Sequence, residues 1–346
     1  MDFNKINLQI PDFNETAADL AQAHWNNCAK PVGSLGELEA LLIKIAGITG
    51  DAEPHFSRRA VIVVAADNGV TRNGIASTPP EITVTMAGFM AKKRSSVCIM
   101  AKAANCDSYV IDVGCFKKLP FDGIIDRHIA DGTEDISKTA AMSAEQCERA
   151  IQTGIDLVRD FKLTGGYKLL ATGEMGIGNT TTSSAIASVL LQRSPAEVTG
   201  RGAGLTDEAL ERKIKIIEQA ITVNRVDPLD PFDVLCKLGG YDIAAMTGLY
   251  IGGALYGVPV IVDGFISAVA ALTARRLCPK SYYAMIASHV SAEPAAKMVL
   301  SALELNAVIH AGMRLGEGTG AVALFPLLDM AAAVYKDLMT FADIGM

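Results

Sequence analysis

Several short runs of the chain are apolar at nearly every position and end in a small or polar residue. They are "AVIVVAADNG" (Ala60–Gly69), "SYVIDVG" (Ser108–Gly114), "KLLATGE" (Lys168–Glu174), "VPVIVDG" (Val258–Gly264) and "YAMIASH" (Tyr283–His289). A strand with one wet face alternates apolar and polar residues, whereas a strand buried on both faces does not. The runs therefore predict a parallel sheet covered on both sides.

Helical patterns fill the intervals. "PPEITVTMAGFMAKKRSS" predicts a helix after the first run, and "NTTTSSAIASVLLQR" one after the third. "SAEQCERAIQTGIDLVRDF" places Ser143 and Gln146 at the spacing of a capping box. Thr206 is set to cap "TDEALERKIKIIEQAI", with Asp207 and Glu208 where the helix dipole favours acids. "DPFDVLCKLGG" opens on Asp230 and Pro231 and stops at Gly239. Strands alternating with helices predict an α/β fold with a doubly wound, Rossmann-like parallel sheet flanked by helices. The two ends show helices alone. "SLGELEALLIKIAG" has Ser34 and Glu37 at capping-box spacing, and "TGAVALFPLLDMAAAVYKDLMTF" predicts a long apolar helix with a kink near Pro326. The expected division is a large α/β catalytic domain over residues 45–305, beside a small helical domain made of residues 1–44 and 306–346.

Hydropathy and charge narrow the function. The most apolar region, "IAAMTGLYIGGALYGVPVIVDGFISAVAALTA", is broken by Gly257, Pro259 and Asp263. That punctuation predicts helix, turn, buried strand, turn and helix rather than a membrane span. The formal charge is −7, from 38 acidic and 31 basic residues. With no basic stripe carrying interleaved aromatics, neither nucleic acid nor an anionic membrane is an expected partner. The 7 cysteines are odd in number and lack metal-ligand spacing, which predicts free thiols in a reducing, cytoplasmic setting and no metal site. No basic segment leads into an apolar one at the N-terminus, so no secretory signal is expected.

Ligands of open parallel sheets bind beyond the carboxyl ends of the strands. The segments to inspect are Asp67–Gly69, Asp112–Gly114, Gly173–Thr181, Asp263–Phe265 and Ser288–Ser291. In "GEMGIGNTT" the glycines Gly173, Gly176 and Gly178 lead straight into a helix. Main-chain N–H groups at such a helix start cradle an anion, and glycines allow a phosphate close approach. A tight strand-to-helix turn without a ligand is the other reading. Neither a Walker motif nor a G-x-G-x-x-G fingerprint is present. "VTGRGAGLTDEALERK" offers Gly200, Gly202 and Gly204 ahead of a helix carrying Lys213, or is an ordinary loop. In "LGEGTGA" the single acid Glu317 stands between Gly316 and Gly318 and opens an apolar helix. If backbone and apolar groups wall it in, its pKa rises and it suits proton abstraction near neutrality; if not, it belongs to a solvated loop. Asp67, Asp112 and Asp263 either bind a hydroxyl or cap the next turn. His289 follows a strand and is placed to touch a ligand, whereas His24, His55, His128 and His310 show no ligand spacing.

Taken in order, "KPVGSLGELE", "AADNGV", "GEMGIGNTTTSSAI", "KLGGYDIAAMTG", "DGFISAVAAL", "SHVSAEPAA" and "MRLGEGTGAVAL" resemble the nicotinate-nucleotide:5,6-dimethylbenzimidazole phosphoribosyltransferases over nearly the whole chain. These are enzymes of cobamide lower-ligand assembly. The resemblance implies transfer of 5-phosphoribose from nicotinate mononucleotide to a lower-ligand base, with inversion at C1′ and release of nicotinate. It implies no cofactor and no required metal. Glu317 would be the catalytic base and Glu174 a second acid at the site. Phosphate and nucleotide would be held by Gly176, Gly178, Asn179, Thr180, Gly202, Lys213, Ser291, Gly316 and Gly318. Thr78, Met86, Met175 and Leu315 would form the acceptor pocket. The implied active unit is a dimer, either a homodimer or a heterodimer with a paralogue.

Three departures bear on the acceptor. The family usually has Asp-His-Gly where Asp67–Asn68–Gly69 stands here, often Gln where Met86 aligns, and frequently Leu where Met175 stands. Two methionines make an apolar, deformable pocket. Loss of a polar partner for a second ring nitrogen tilts the reading from benzimidazoles toward phenols such as p-cresol, as in the family's phenol-activating branch. The reading adopted is an enzyme that accepts both benzimidazoles and phenols, with neutral drift within a benzimidazole enzyme as the alternative. Two further rivals are a non-catalytic paralogous subunit, disfavoured by retention of Glu174 and Glu317, and a nicotinamide-dependent oxidoreductase, disfavoured by the missing fingerprint.

Overall fold

The computed structural model describes residues 1–202 and 204–345. Helices α1 (Phe3–Gln9), α2 (Glu15–Asn27) and α3 (Glu37–Thr49) precede β1 (Arg59–Ala66). Then come α4 (Ile82–Ala91), α5 (Ser96–Ala103), β2 (Asp107–Gly114), β3 (Ile124–Asp126), α6 (Ala144–Leu163) and β4 (Leu169–Met175). Helices α7 (Asn179–Leu191), α8 (Pro195–Val198), α9 (Asp207–Val223), α10 (Pro231–Leu238) and α11 (Tyr241–Tyr256) lead to β5 (Val260–Val262). The chain continues through α12 (Phe265–Leu277), β6 (Met285–Ala287), α13 (Ala296–Leu303) and α14 (Thr319–Asp337).

All strands are parallel, in the order β3-β2-β1-β4-β5-β6. Strand order reverses between β1 and β4, so the crevice for a ligand opens where those two strands end. Side chains alternate faces along each strand. Ile62, Val64, Leu170 and Val262 pack with α6, α7, α11 and α12 on one face. Val61, Val63, Ala171 and Ile261 pack with α2, α3, α5 and α14 on the other. On the first face α6 and α11 meet through glycines, where a Cβ on Gly154 would run into the Ala245 carbonyl and one on Gly248 into that of Ile151. Helix α14 is long and apolar enough to cross a membrane by length and composition alone. Here Leu324, Phe325 and Leu328 are buried against the sheet.

The ends of the chain meet. Cys28 and Thr340 form an antiparallel bridge, and Trp25 stacks edge-on against Tyr335. Most predicted elements form, including the Ser143–Gln146 capping box. Two expectations are corrected, and one strand forms where none was expected. The helix expected over residues 79–96 is shorter: α4 ends at Ala91, ahead of Lys93 with its left-handed φ of 58°, and a second helix, α5, begins only at Ser96. Ser34 caps nothing: α3 starts after Gly36, which provides no side-chain cap. Strand β3 went unpredicted, being three residues long and half exposed at the sheet edge.

Candidate active site

A cavity opens at the β1/β4 switch point. Its floor is the segment Glu174–Thr180, and its walls are Ile75–Thr78, Arg201–Gly202, Asp263–Ser267, His289, Ser291 and Arg314–Gly316. Of the residues singled out in the sequence, Thr78, Glu174, Met175, Gly176, Gly178, Asn179, Thr180, Gly202, Ser291, Leu315 and Gly316 line it. Lys213, Met86, Glu317 and Gly318 do not.

Glu174 sits at the end of β4 with its carboxyl buried. It accepts a hydrogen bond from the Asn179 side-chain amide and another, at 3.3 Å, from the Glu317 main-chain N–H. Burial pushes its carboxyl up to about 8; the Asp242 and Asp263 charges add to this, and the Asn179 and Glu317 donors oppose it. The same Asn179 nitrogen donates to Asp242 Oδ2 at 3.0 Å. Burial raises Asp242 to about 6, against the pull of Asn179 and of the α11 amides. Beside them Asn68 is fully buried, and neither its oxygen nor its nitrogen has a partner among the described residues.

The glycines of "LGEGTGA" make a strap over β4. A Cβ at Gly316, whose φ is 80°, would lie 2.5 Å from Glu174 Oε1. One at Gly318, φ 94°, would press on Val61 and the Thr172 carbonyl. Only a residue without a side chain lets the strap lie this low. Asp263, at the end of β5, accepts the N–H groups of Gly318 (3.1 Å) and Ala321 (2.9 Å) and so anchors the start of α14. Its carboxylate meets the positive end of that helix. Asp112 caps the turn after its own strand, accepting from Gly114, Cys115 and Leu119, while Asp67 accepts from Phe116. All three strand-end aspartates thus hold main chain.

Glu317 is buried, with a left-handed φ of 62°. One carboxyl oxygen has no hydrogen-bond partner among the described residues. Burial raises its pKa, and the Val97 amide at the start of α5 opposes the shift. A bulky residue at φ > 0 is strained unless its surroundings fix it; here the strap's anchors do so on both sides. Met86 lies on α4, partly buried and one turn beyond Thr83, whose hydroxyl accepts the Ile177 N–H at 3.2 Å.

At the far end of the cavity Lys213 is fully buried. Its ammonium donates to Thr180 Oγ1 (3.0 Å) and the Gly200 carbonyl (3.1 Å), so it stands behind the wall and braces it. Burial lowers it to about 8, with Glu293 pulling the other way. The helix α7 starts at Asn179 after Gly178, which has a left-handed φ of 96° and provides no side-chain cap. The Asn179 and Thr181 N–H groups bond to the Gly176 and Gly178 carbonyls, which leaves the Thr180 N–H without a main-chain partner among the described residues, at an electropositive helix end suited to an anion. The sequence left three lining or supporting groups without a role: Arg201, Arg314 and Asp242. Asp242 had a signal, being the only charged residue in a helix, "YDIAAMTGLYIGGALY", that is otherwise nearly all apolar.

A parallel sheet that offers an anion cradle and buried carboxyls at its switch point suits the transfer of a phosphorylated group, and a family model described as "Phosphoribosyltransferase" matches residues 10–346. Among curated proteins, a nicotinate-nucleotide–dimethylbenzimidazole phosphoribosyltransferase of Ruminiclostridium cellulolyticum is 42% identical over 99% of this chain and 97% of its own length. One from Acetivibrio thermocellus is 44% identical over 96% of this chain and 95% of its own. The chain belongs to the nicotinate-nucleotide–dimethylbenzimidazole phosphoribosyltransferase family. The fold agrees: the crystal structure of CobT from Thermus thermophilus superposes with a TM-score of 0.90 at 35% identity, covering 96% of this chain and 99% of that one.

Proposed function

We propose that the chain transfers 5-phosphoribose from nicotinate mononucleotide to a cobamide lower-ligand base, releasing nicotinate and an α-riboside 5′-phosphate. The observation that carries this is family membership along the full chain, joined to a cavity that puts an anion cradle and a carboxyl side by side. The phosphate would lie on the α7 start, between Gly176–Thr180, Gly202 and Ser291, with Lys213 supplying charge through Thr180. The glycosidic pyridinium nitrogen is already cationic, so nicotinate departs with the C1′–N electron pair and needs no proton first. The acceptor's nitrogen or oxygen forms the new bond to C1′ from the opposite side. Its proton would pass to Glu317, which follows the lining residue Gly316 just behind the cavity wall and whose dry carboxyl oxygen has no partner among the described residues. Fixed positioning of the two reactants contributes much of the rate and sets inversion.

Glu174 would face the ribose, with Gly316 and Gly318 letting the strap close on the reacting atoms. Thr78, Met175 and Leu315, with Met86 on the same side of α4 as Thr83, would form the acceptor wall. Methionine at 86 favours phenols beside benzimidazoles. A phenol has a pKa of about 10, as tyrosine does, and needs the same base. Leu315 is 57% exposed at the mouth, an apolar surface for a second subunit, identical or paralogous, to cover. The reaction would run in the cytoplasm.

The test supplies nicotinate mononucleotide with an equimolar mixture of 5,6-dimethylbenzimidazole, adenine, phenol and p-cresol. Mass spectrometry then identifies the ribosylated products. Nicotinate release with at least one α-ribosylated acceptor is expected; no release with any of them overturns the assignment.

A further inference from the structure

Beneath the cavity floor two buried carboxyls flank one amide. Asn179 Nδ2 carries two hydrogens and donates one to Glu174 Oε2 and the other to Asp242 Oδ2. The charged groups that bear on Glu174 from the elements packed around it are acids: Asp242 from α11 and Asp263 from the end of β5. Asp242 faces a further acid, Asp67, from the end of β1. The cations near the cavity lie elsewhere: Lys213, behind the wall, is tied to Thr180 and Gly200, Arg201 is tied to Asp207, and Arg314 lines the mouth from an exposed position. His289, beyond Asp263, bonds to Ser288. Two carboxylates sharing one donor in a dry site, with no counter-charge, do not both ionise.

The surroundings decide which one keeps the charge. Asp242 stands in the first turn of α11, and its Oδ1 accepts the Ile243 N–H at 2.9 Å. The positive end of that helix favours the anion there. Close packing also fixes it: a Cβ at Gly176 would lie 2.8 Å from Asp242 Oδ2, and one at Gly240 2.6 Å from Oδ1. Asp242 has no room to turn away. Glu174 ends a strand, stands outside any helical turn and reaches the cavity, and its one main-chain donor, the Glu317 N–H, is at 3.3 Å.

We propose that Glu174 and Asp242 hold one negative charge between them, and that Asp242, through Asn179, is a positioning residue that presents Glu174 to the donor as a neutral acid. This rests on the donor assignment above. A mononucleotide with a phosphate and a ring carboxylate is repelled by an ionised Glu174 and accepts a hydrogen bond from a protonated one. The raised carboxyls of both residues, Glu174 at about 8 and Asp242 at about 6, fall in the same order.

Infrared difference spectroscopy of the ligand-free protein, titrated from about pH 5 to about pH 10, tests the shared charge directly. Wild type should show a protonated-carboxyl carbonyl band at neutrality that is lost on the alkaline side. Glu174→Gln should lack the band, and Asp242→Asn should lose it at a pH lower by about half a unit or more. Calorimetric affinity for nicotinate mononucleotide should fall about tenfold over the same range in wild type, and at the correspondingly lower pH in Asp242→Asn. The proposal is overturned if wild type has no such band at neutrality, if the band persists in Glu174→Gln, or if Asp242→Asn titrates where wild type does. Should Asp242→Asn fail to fold, wild type and Glu174→Gln decide alone. A band behaving as expected in a chain that neither binds nor cleaves nicotinate mononucleotide would overturn the donor assignment and leave the shared charge standing.

Discussion

Replacing Gly316 with alanine separates backbone strain from site geometry, because the chain contains its own control. Gly312 and Gly316 both have left-handed backbone, φ 63° and 80°. An alanine at either position carries the same conformational penalty, about 1–2 kcal/mol. Around Gly312 a Cβ would meet nothing within 4 Å, whereas at Gly316 it would lie 2.5 Å from Glu174 Oε1. To restore an ordinary contact, either the strap rises or the Glu174 carboxyl retreats by about 1 Å, and a displacement of that size costs on the order of a hundredfold in rate. In urea titrations Gly312→Ala should lose the conformational penalty alone, and Gly316→Ala that penalty plus the cost of relieving the contact. Gly312→Ala should keep kcat/KM for nicotinate release within a few-fold of wild type, while Gly316→Ala drops by about two orders of magnitude. Equal kcat/KM in the two variants would refute the strap as the element that sets the site.

Further outcomes follow from the same contacts. Glu317→Gln should fold and bind donor nearly as wild type but turn over about a hundredfold or more slowly, as expected for loss of a general base; turnover within a few-fold of wild type would discard the role. Met86→Gln should shift product ratios toward benzimidazole over phenol in a competition read by mass spectrometry, and an unchanged ratio removes Met86 from acceptor choice. Gly248→Ala should destabilise by about 1–3 kcal/mol or more in urea unfolding without altering KM, since its Cβ meets the Ile151 carbonyl of the facing helix. The raised Glu174 carboxyl also makes stability depend on pH. Between its ordinary 4.5 and about 8 the folded chain keeps a proton that the unfolded chain has released, so stability falls as pH rises through that window and levels above it. Glu174→Gln should flatten that part of the stability profile; a slope equal to that of wild type would argue against a protonated Glu174.

The fold was legible where burial was complete. A strand covered on both faces leaves an unbroken apolar run, and each of those runs became a strand. β3 left no such run because a short edge strand buries little. The break between α4 and α5 contains Lys93 in left-handed backbone, a residue that carries no turn signal of its own and whose ammonium is bound to Ser108 on β2. At the site, the glycine loops announced themselves because close approach excludes side chains. Asp242 did not, because its importance lies in what the fold brings to it. Its partner Asn179 is 63 residues away in sequence, and no local pattern encodes a shared hydrogen bond. Lys213 shows the converse: its position beside a glycine loop was visible, but its place behind Thr180 rather than in the cavity depends on packing alone.

The anchoring of α14 on Asp263 has a consequence for biosynthesis. Every strand of the sheet leaves the ribosome before the strap does, and domains fold in the order they emerge. Until residues 316–337 arrive, Val61 and Ala171 lie on a sheet face that lacks the cover of that helix. A nascent chain at that stage carries the Gly176–Thr180 loop but not Glu317, and an open greasy surface in place of a finished enzyme. Capture of α14 by the Asp263 carboxylate then seals the surface and arms the site in one event.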